Sequence, residues 1–455
     1  MAQTEVDNTS SVSKPRIAIA LIGLFIAFSI LLLKPFPGDV NQGIFIFIVA
    51  ASLWITEAIH LTATALLVPL LAVALGVFTV NDSLDKFSHP IIFIFLGGFT
   101  LAAALRKTQL DKVIASYILK VAQGRARIAI WLLFVATAVL SMWVSNTAVT
   151  AMMLPLAFGL IASLSKHDIK TTYFILLGTA YSASIGGMAT LVGSPPNAIA
   201  GAALNLTFVD WFSIGGPLVV IMLPILLTVL YWVIRPNLSA SQTVKIASSK
   251  ATNGSGIVIL IFLATVGLWL LGKPIGTVLG IAKYFDAWVA ISAIVALLVT
   301  RSLLWKDIEK GADWGVLLLF GGGMALGAVL KQTGASAFIA TGMQGLLDGI
   351  PFFMFLVALV TFVIFITELT SNTATAALLV PLFITIAEQM GFEVSYIVMG
   401  IGFAASCAFM LPVATPPNAI VYGSGKITQK QMMKTGLWLN IATAVAMPAL
   451  LYAFL

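Results

Sequence analysis

Long apolar runs dominate this chain and restrict the folds that are open to it. Residues 17–33, 257–271 and 438–455 are each apolar over about the length that crosses a lipid bilayer. Charged residues make up 9% of the 455 residues, whereas ordinary soluble domains contain roughly 25%. Because the backbone must pair its own polar groups in hydrocarbon, only helices and closed barrels cross it. We therefore predict an all-α polytopic membrane protein.

Two short polar motifs each occur twice within the apolar sequence. Ser-Asn-Thr stands at residues 145–147 and 371–373, and each copy is followed by Pro-Leu. Further along, each half carries Pro-Pro-Asn-Ala-Ile, at residues 195–199 and 416–420. Small polar residues in lipid are costly unless they meet a partner or a cavity. The matched copies therefore indicate two halves of one site.

A third pair of segments extends the duplication. Phe-Leu-Gly-Gly at 95–98 corresponds to Phe-Gly-Gly-Gly at 320–323. Each is followed by an amphipathic stretch, residues 111–124 in the first half and 334–348 in the second. We predict that these stretches lie along the membrane surface. The shifts of the three pairs are similar: 225 (95 to 320), 226 (145 to 371) and 221 (195 to 416). We predict a duplicated fold whose halves join in the polar residues 236–253.

Basic residues predict how the chain is threaded. With a cytoplasmic N-terminus, 19 of the 24 lysines and arginines fall inside and 5 outside, as the positive-inside rule requires. This count holds only if each Ser-Asn-Thr segment enters and leaves on one side. Residues 125–127 and 166–170 flank the first inside, while Asp348 and Glu388 flank the second outside. We therefore predict two re-entrant hairpins from opposite faces, an inverted repeat and an outer C-terminus.

The Pro-Pro pairs predict that two spans are broken. A Pro-Pro pair cannot continue a helix, and Gly193-Ser194 or Ala414-Thr415 just before each pair allows the chain to unwind. At a break, free carbonyls can hold a cation and a half-helix N-terminus can face an anion. The Ser-Asn-Thr segments should also begin helices, capped by Ser or Asn. Four helix N-termini are thus expected to converge near the midplane.

Basic side chains are absent from all four motifs. A dianion bound there would be balanced only by helix ends, each equivalent to about half a charge. Bound cations are the natural supplement, because hydroxyl, amide and carbonyl oxygens are ligands for hard cations. The motifs therefore predict an anion bound together with cations.

The paired Ser-Asn-Thr motifs resemble the divalent-anion:sodium symporter (DASS) family, close to its bacterial INDY-type dicarboxylate transporters. Ala-Ser-Cys-Ala-Phe at 405–409 and Asn-Ala-Ile-Val at 418–421 also fit the family signature. The likeness covers nearly the whole chain apart from the N-terminal tail. It implies an elevator-type homodimer, in which a mobile transport domain moves against a scaffold domain.

The following organisation is predicted along the chain. Residues 1–15 form a disordered cytoplasmic tail, 16–124 the first-half scaffold helices and surface helix, 125–235 the first-half transport domain with hairpin and broken helix, 236–253 a cytoplasmic linker, 254–349 the second-half scaffold helices and surface helix, and 350–455 the second-half transport domain with hairpin, broken helix and last helix.

The resemblance also implies two sodium sites and the substrate contacts. One sodium site would use Ser141, Ser145, Asn146 and the Gly193 backbone, and the other Thr367, Thr370, Asn372 and the Ala414 backbone. Thr370 and Ala414 differ in type from their first-half counterparts, so backbone contacts are expected there. Substrate carboxylates would meet Asn146, Thr147, Ser194, Pro195, Asn372, Thr373, Thr415 and Pro416.

Other polar residues in the apolar sequence have alternative interpretations. Asn197 and Asn418 are expected to tie the broken helices together. Intramembrane Glu368 is a candidate proton carrier, whereas Glu57 and His60 are candidates either for function or for bonds across helices. Residues 55–70 resemble 366–382 but lack Ser-Asn, which indicates helix packing by small residues.

The leading functional prediction is sodium-coupled symport of C4-dicarboxylates such as succinate, malate and fumarate across the inner (plasma) membrane. The expected partners are two or more Na⁺ ions, the lipid bilayer and a second copy of the chain. We do not expect the protein to bind nucleic acid. A sodium-independent dicarboxylate exchanger of the same fold is the alternative. An anion channel is less favoured, since basic pore residues are absent. No catalytic constellation predicts an enzyme.

Overall fold

The computed structural model describes residues 14–163, 168–238, 252, 254–281, 284–347 and 349–455, and within these ranges every regular element is a helix. Several predicted features lie outside the described residues. They are residues 1–13 of the tail, 239–251 and 253 of the linker, and Lys166, Lys283 and Asp348, which entered the predicted orientation.

The first half contains eleven α-helices and two short 3₁₀ helices within the described residues; the α-helices are numbered here. They are α1 (Lys14–Leu33), α2 (Val40–Thr56), α3 (Leu61–Ala74), α4 (Val80–Leu84), α5 (Pro90–Lys107), α6 (Leu110–Lys120), α7 (Ala126–Ser141), α8 (Asn146–Ser163), α9 (Ile169–Gly187), α10 (Pro195–Ala203) and α11 (Phe208–Ile234).

The second half contains another eleven in the described ranges. They are α12 (Ser255–Leu270), α13 (Gly272–Val278), α14 (Phe285–Val299), α15 (Trp305–Gly311), α16 (Trp314–Gln332), α17 (Ala335–Leu347), α18 (Phe352–Thr367), α19 (Asn372–Met390), α20 (Val394–Ala404), α21 (Pro416–Gly423) and α22 (Gln429–Phe454).

Membrane crossing is supported by helix length and composition. Six helical segments of the described chain are long and apolar enough to cross, or seven if the bent pair α12 and α13, at 81°, is one span. The predicted apolar runs fall in α1, α12 and α22. The multi-pass, all-helical prediction is therefore confirmed.

The predicted duplication is visible in the helix bounds. Helices α7 and α18 are shifted by 226 positions at both ends (126 to 352, 141 to 367). The starts of α10 and α21 (195 to 416) and of α11 and α22 (208 to 429) are shifted by 221. Helices α6 and α17 form in the two stretches predicted as surface helices. Inversion of the repeat and the surface location of α6 and α17 stay predictions.

The helices pack in two groups. In one, α7 packs on α9, α18 on α22, and α11 on both α9 and α22. In the other, α1 packs on α2, α3 on α16, and α5 on α14. Helix α19 packs on α10 and α20, and it also lies against α16 and α17. The roles of these groups as transport and scaffold domains, with the boundaries given above, stay a prediction.

The Gly-rich segments let α5 and α16 pack closely against neighbouring helices. A Cβ built on Gly97 would lie 2.7 Å from the Cβ of Ala290, and one on Gly322 would lie 2.6 Å from Cα of Ala65. Such approach is possible only without a side chain. Because Ala65 belongs to the segment that resembles the second hairpin without its Ser-Asn pair, the prediction that this segment serves helix packing is confirmed.

Candidate functional site

Both Ser-Asn-Thr motifs lie at the turn of a helical hairpin. Helices α8 and α19 begin at Asn146 and Asn372, as predicted. Ser145 Oγ accepts a hydrogen bond from the Ala148 N–H (3.4 Å) and so caps α8. Ser371 makes no side-chain cap, so the predicted capping by Ser holds in the first half alone.

Each motif asparagine is bonded to the end of the preceding helix. Ser141 Oγ donates to Asn146 Oδ1 at 2.6 Å, and Thr367 Oγ1 donates to Asn372 Oδ1 at 2.8 Å. The donors are shifted by the same 226 positions as the acceptors. The hairpins therefore present matching pairs of hydroxyl and amide oxygens.

Both Pro-Pro motifs begin a half-helix after a break. Helix α9 ends at Gly187 and α10 begins at Pro195, while α20 ends at Ala404 and α21 begins at Pro416. The prediction of two broken helices is confirmed. A 3₁₀ turn, Leu191–Gly193, occupies the first break.

The asparagines of the Pro-Pro-Asn motifs tie the broken helices together, as predicted. Asn197 Nδ2 donates to the carbonyls of Gly187 (2.8 Å) and Thr190 (2.7 Å). Asn418 Nδ2 does the same in the second half, to Ala408 and Leu411, both at 3.0 Å.

In the first half, the hairpin turn and the break come together. A Cβ built on Gly187 would lie 2.4 Å from Asn146 Oδ1, and one on Gly193 would lie 2.4 Å from the Gly187 oxygen. Ser141, Asn146 and Gly193 of the predicted sodium set are thus close neighbours. Ser145 is exposed at the turn. This set supplies hydroxyl, amide and carbonyl oxygens, the ligands that hard cations prefer.

In the second half, Thr367 and Asn372 come together, but Thr370 points elsewhere. The Thr370 hydroxyl is 2.6 Å from that of Thr375 and donates to the Ile366 carbonyl at 3.1 Å. Its side chain is therefore engaged within the hairpin, and the expected contact through the Thr370 backbone stays a prediction. Ala414 is buried, and its N–H donates to the Leu411 carbonyl at 3.2 Å.

The predicted substrate contacts differ in accessibility. Thr147 and Pro416 are exposed, and Asn146, Asn372 and Pro195 are half-buried. Ser194, Thr373 and Thr415 are buried. The Thr415 hydroxyl accepts from the Asn418 N–H (3.2 Å) and so caps α21.

One contact of the site joins the two halves. Ser194 Oγ lies 3.2 Å from Ser406 Oγ, and both residues are buried. In addition, α8 packs against α21, and α10 against α19. Each hairpin therefore meets the half-helix of the other repeat. Sequence reasoning missed Ser406, because no local pattern distinguishes it from a packed helix serine.

The ionisable candidates occupy three different environments. Glu57 forms an ion pair with Arg16 at 3.4 Å, and His60 Nδ1 accepts from the Thr62 N–H at 3.3 Å and caps α3. A bond between two helices is thus present for Glu57, whereas the His60 bond is local to the start of α3. Buried Glu368 accepts hydrogen bonds from the N–H groups of Phe409, Met410 and Leu411 and from Asn440. The sequence did not predict this structural role for Glu368.

Comparison with known proteins identifies related membrane transporters. The family model described as citrate transporter (CitMHS) matches residues 51–394 and 354–455. An uncharacterised transporter of Haemophilus influenzae is 46% identical, over 96% of each chain. The sodium-dependent dicarboxylate transporter SdcS of Staphylococcus aureus is 33% identical, over 97% of this chain and 92% of that protein.

A solved structure has a similar fold. The YdaH transporter of Alcanivorax borkumensis superimposes with a TM-score of 0.55 at 16% sequence identity, over 82% of this chain and 86% of that one. At this identity the likeness extends to the fold alone.

Proposed function

This chain belongs to the citrate transporter (CitMHS) family, whose members are transporters and not enzymes, and we propose that it is a sodium-coupled symporter of C4-dicarboxylates such as succinate, malate and fumarate. The protein is a multi-pass membrane protein. The proposed location is the bacterial inner (plasma) membrane, with the N-terminus in the cytoplasm and the C-terminus outside.

The observation that carries the proposal is the matched pair of oxygen sets. In each half, a hydroxyl at the end of one hairpin helix bonds the asparagine that begins the next, at 2.6 Å and 2.8 Å. Neither set includes a lysine or arginine. Oxygen ligands without basic side chains suit Na⁺, and the ions then supply the positive charge that a dicarboxylate needs.

A relative supports the coupling and the substrate class. The SdcS protein, at 33% identity over most of both chains, is named a sodium-dependent dicarboxylate transporter. We propose two or more sodium ions per substrate. Ser141, Ser145, Asn146 and Gly193 would bind one, and Thr367, Thr370, Asn372 and Ala414 another.

The proposed transport mechanism is of the elevator type in a homodimer. The helices α7–α11 and α18–α22 pack on one another and carry all proposed ligands. A group packed in this way can move as one body against α1–α5 and α12–α16. Such movement would expose the site to each side of the membrane in turn.

Uptake of labelled succinate into proteoliposomes tests the proposal. With an inward sodium gradient we expect accumulation, and with choline in place of sodium we expect none. A proton gradient alone should not replace sodium. Equal uptake in choline and sodium would instead indicate the sodium-independent exchanger, provided that internal succinate accelerates it.

Citrate is a second candidate substrate, because the matching family model is described as a citrate transporter. Labelled citrate therefore belongs in the same assay. The lack of basic side chains in the site favours a dianion over a trianion, so succinate should compete better than citrate at neutral pH.

A further inference from the structure

The second broken helix is held by a buried carboxylate that has no equivalent in the first. Glu368 is 4% exposed. Its Oε1 accepts from the N–H groups of Phe409 (2.7 Å) and Met410 (2.8 Å) and from Asn440 Nδ2 (2.8 Å), and its Oε2 accepts from the Leu411 N–H (3.0 Å). Successive backbone N–H groups of this kind form an anion-binding nest, which here is filled by the protein's own side chain.

The four donors hold both oxygens of the Glu368 carboxyl group. Three donors converge on Oε1, and the fourth faces Oε2. Among the described residues, no basic side chain forms an ion pair with Glu368. The carboxyl group is therefore engaged with the backbone and one asparagine, and not with a cationic side chain.

The bonds of Glu368 lead to the proposed second sodium site. Leu411, whose N–H is held by Glu368, accepts a hydrogen bond at its carbonyl from the N–H of Ala414 (3.2 Å). Thr367, the residue before Glu368, bonds Asn372. Glu368 is therefore directly connected to both sides of this site.

The first half is built differently at the same place. With the shift of 226 positions, Met142 is the residue that corresponds to Glu368. Met142 contacts the first break through its backbone, because its carbonyl accepts a hydrogen bond from Thr190 Oγ1 (2.5 Å). The N–H groups of Met188 and Ala189, which correspond to Phe409 and Met410, are bonded to the carbonyls of Ile185 and Gly186, both at 3.1 Å. No carboxylate is used.

We propose that Glu368 is a positioning residue that fixes the backbone of residues 409–411 and thereby holds Ala414 in place for the second-half sodium site. This inference rests on the proposed function, because it presupposes sodium at that site. A site made of hydroxyl, amide and backbone oxygens binds a cation well only when supporting hydrogen bonds hold its ligands in place.

Two measurements on the purified full-length protein test the inference without transport. The first is hydrogen–deuterium exchange of the amides of residues 409–411. The second is thermal stabilisation by sodium, titrated against choline at constant ionic strength. The variants are Glu368→Gln and the milder Asn440→Ala. Glu388→Gln, which changes an exposed carboxylate on the same hairpin, is the matched control.

We expect the amides of residues 409–411 to be protected in the wild type and to exchange at least about tenfold faster in Glu368→Gln, because the Gln amide offers Leu411 a donor and not an acceptor. The sodium concentration for half-maximal stabilisation should rise about tenfold in Glu368→Gln and less in Asn440→Ala, because the backbone that holds Ala414 is released. Glu388→Gln should change neither.

Unchanged sodium affinity in Glu368→Gln would overturn the role of Glu368 in the sodium site. Unprotected amides at 409–411 in the wild type would overturn the fixing of this backbone by Glu368, even if no variant folds. A wild-type protein that fails to respond to sodium would contradict the proposed function, whereas amide exchange would still decide whether Glu368 fixes the backbone.

Discussion

At the scale of single residues, Asn146 and Asn372 occupy equivalent places. Each begins a helix, and each amide oxygen accepts a hydroxyl from the end of the preceding helix. Each also leaves its side chain half-buried, so that it can meet a ligand. These features distinguish the two asparagines from hydroxyl residues that only bond a helix backbone.

We predict that Asn146→Ala and Asn372→Ala each reduce sodium-driven succinate uptake to below about a tenth of the wild-type rate, because each removes a cation ligand and a substrate contact. The variants should still purify as folded protein. Thr64→Ala is the control, since Thr64 is buried and its hydroxyl has no partner. If Thr64→Ala were as damaging as the asparagine changes, the site would be misassigned.

The two threonines of the second site should differ. Thr367→Ala removes the donor to Asn372 Oδ1, so the sodium concentration for half-maximal uptake should rise about tenfold. Thr370→Ala loses a bond to Thr375, away from the site, and should change this concentration less than about twofold. Sodium titrations of uptake, normalised to protein in the liposomes, compare the two. Equal effects would show that the Thr370 side chain is a ligand.

At the scale of elements, the two breaks share one design with different residues. Asn197 and Asn418 close the breaks with the same two bonds. The first break uses glycine at 187 and 193, where the second has alanine at 408 and 414. The first hairpin turn therefore packs closer to its break than a side chain would allow.

This difference predicts the effect of a single methyl group. In Gly187→Ala the new Cβ would lie 2.4 Å from Asn146 Oδ1, so the asparagine must move and transport should fall by more than about tenfold. Gly159→Ala in α8, which has no atom within 4 Å of the new Cβ, should be tolerated. Uptake assays on the two variants, with Tm as a folding check, make the comparison. Near-normal uptake by Gly187→Ala would place the first cation site elsewhere.

At the scale of the whole molecule, the two halves contact each other at the proposed site. Each hairpin meets the half-helix of the other repeat, and Ser194 and Ser406 connect the breaks. The proposed site therefore depends on both halves. The charge of the proposed site also depends on both halves, because the motifs of neither half contain a lysine or arginine.

The charge of the site predicts how transport depends on pH. Carboxyl groups with pKa values of roughly 4–6 are fully ionised near neutrality, so succinate uptake should change little between pH 7 and 8. Inhibition by citrate should weaken over this interval as its trianion increases. Measuring both across the interval is sufficient. A steep fall in succinate uptake with rising pH would indicate a titrating protein group or a monoanionic substrate.

The sequence alone determined the membrane class, the duplication, the hairpin turns and the two broken helices. Each depends on local chemistry, since apolar runs favour lipid and a Pro-Pro pair cannot continue the helix that comes before it. The repeated spacing then identified Asn146 and Asn372 as equivalent.

Only the tertiary structure decided which polar residues act together. Glu368 bonds backbone groups 41 to 43 positions away and an asparagine 72 positions away, and Ser194 meets Ser406 across 212 positions. The hydroxyl of Thr370 turns to a neighbour in its own hairpin. A hydrogen bond depends on distances of a few tenths of an ångström, and these are set by how helices pack and not by the order of residues.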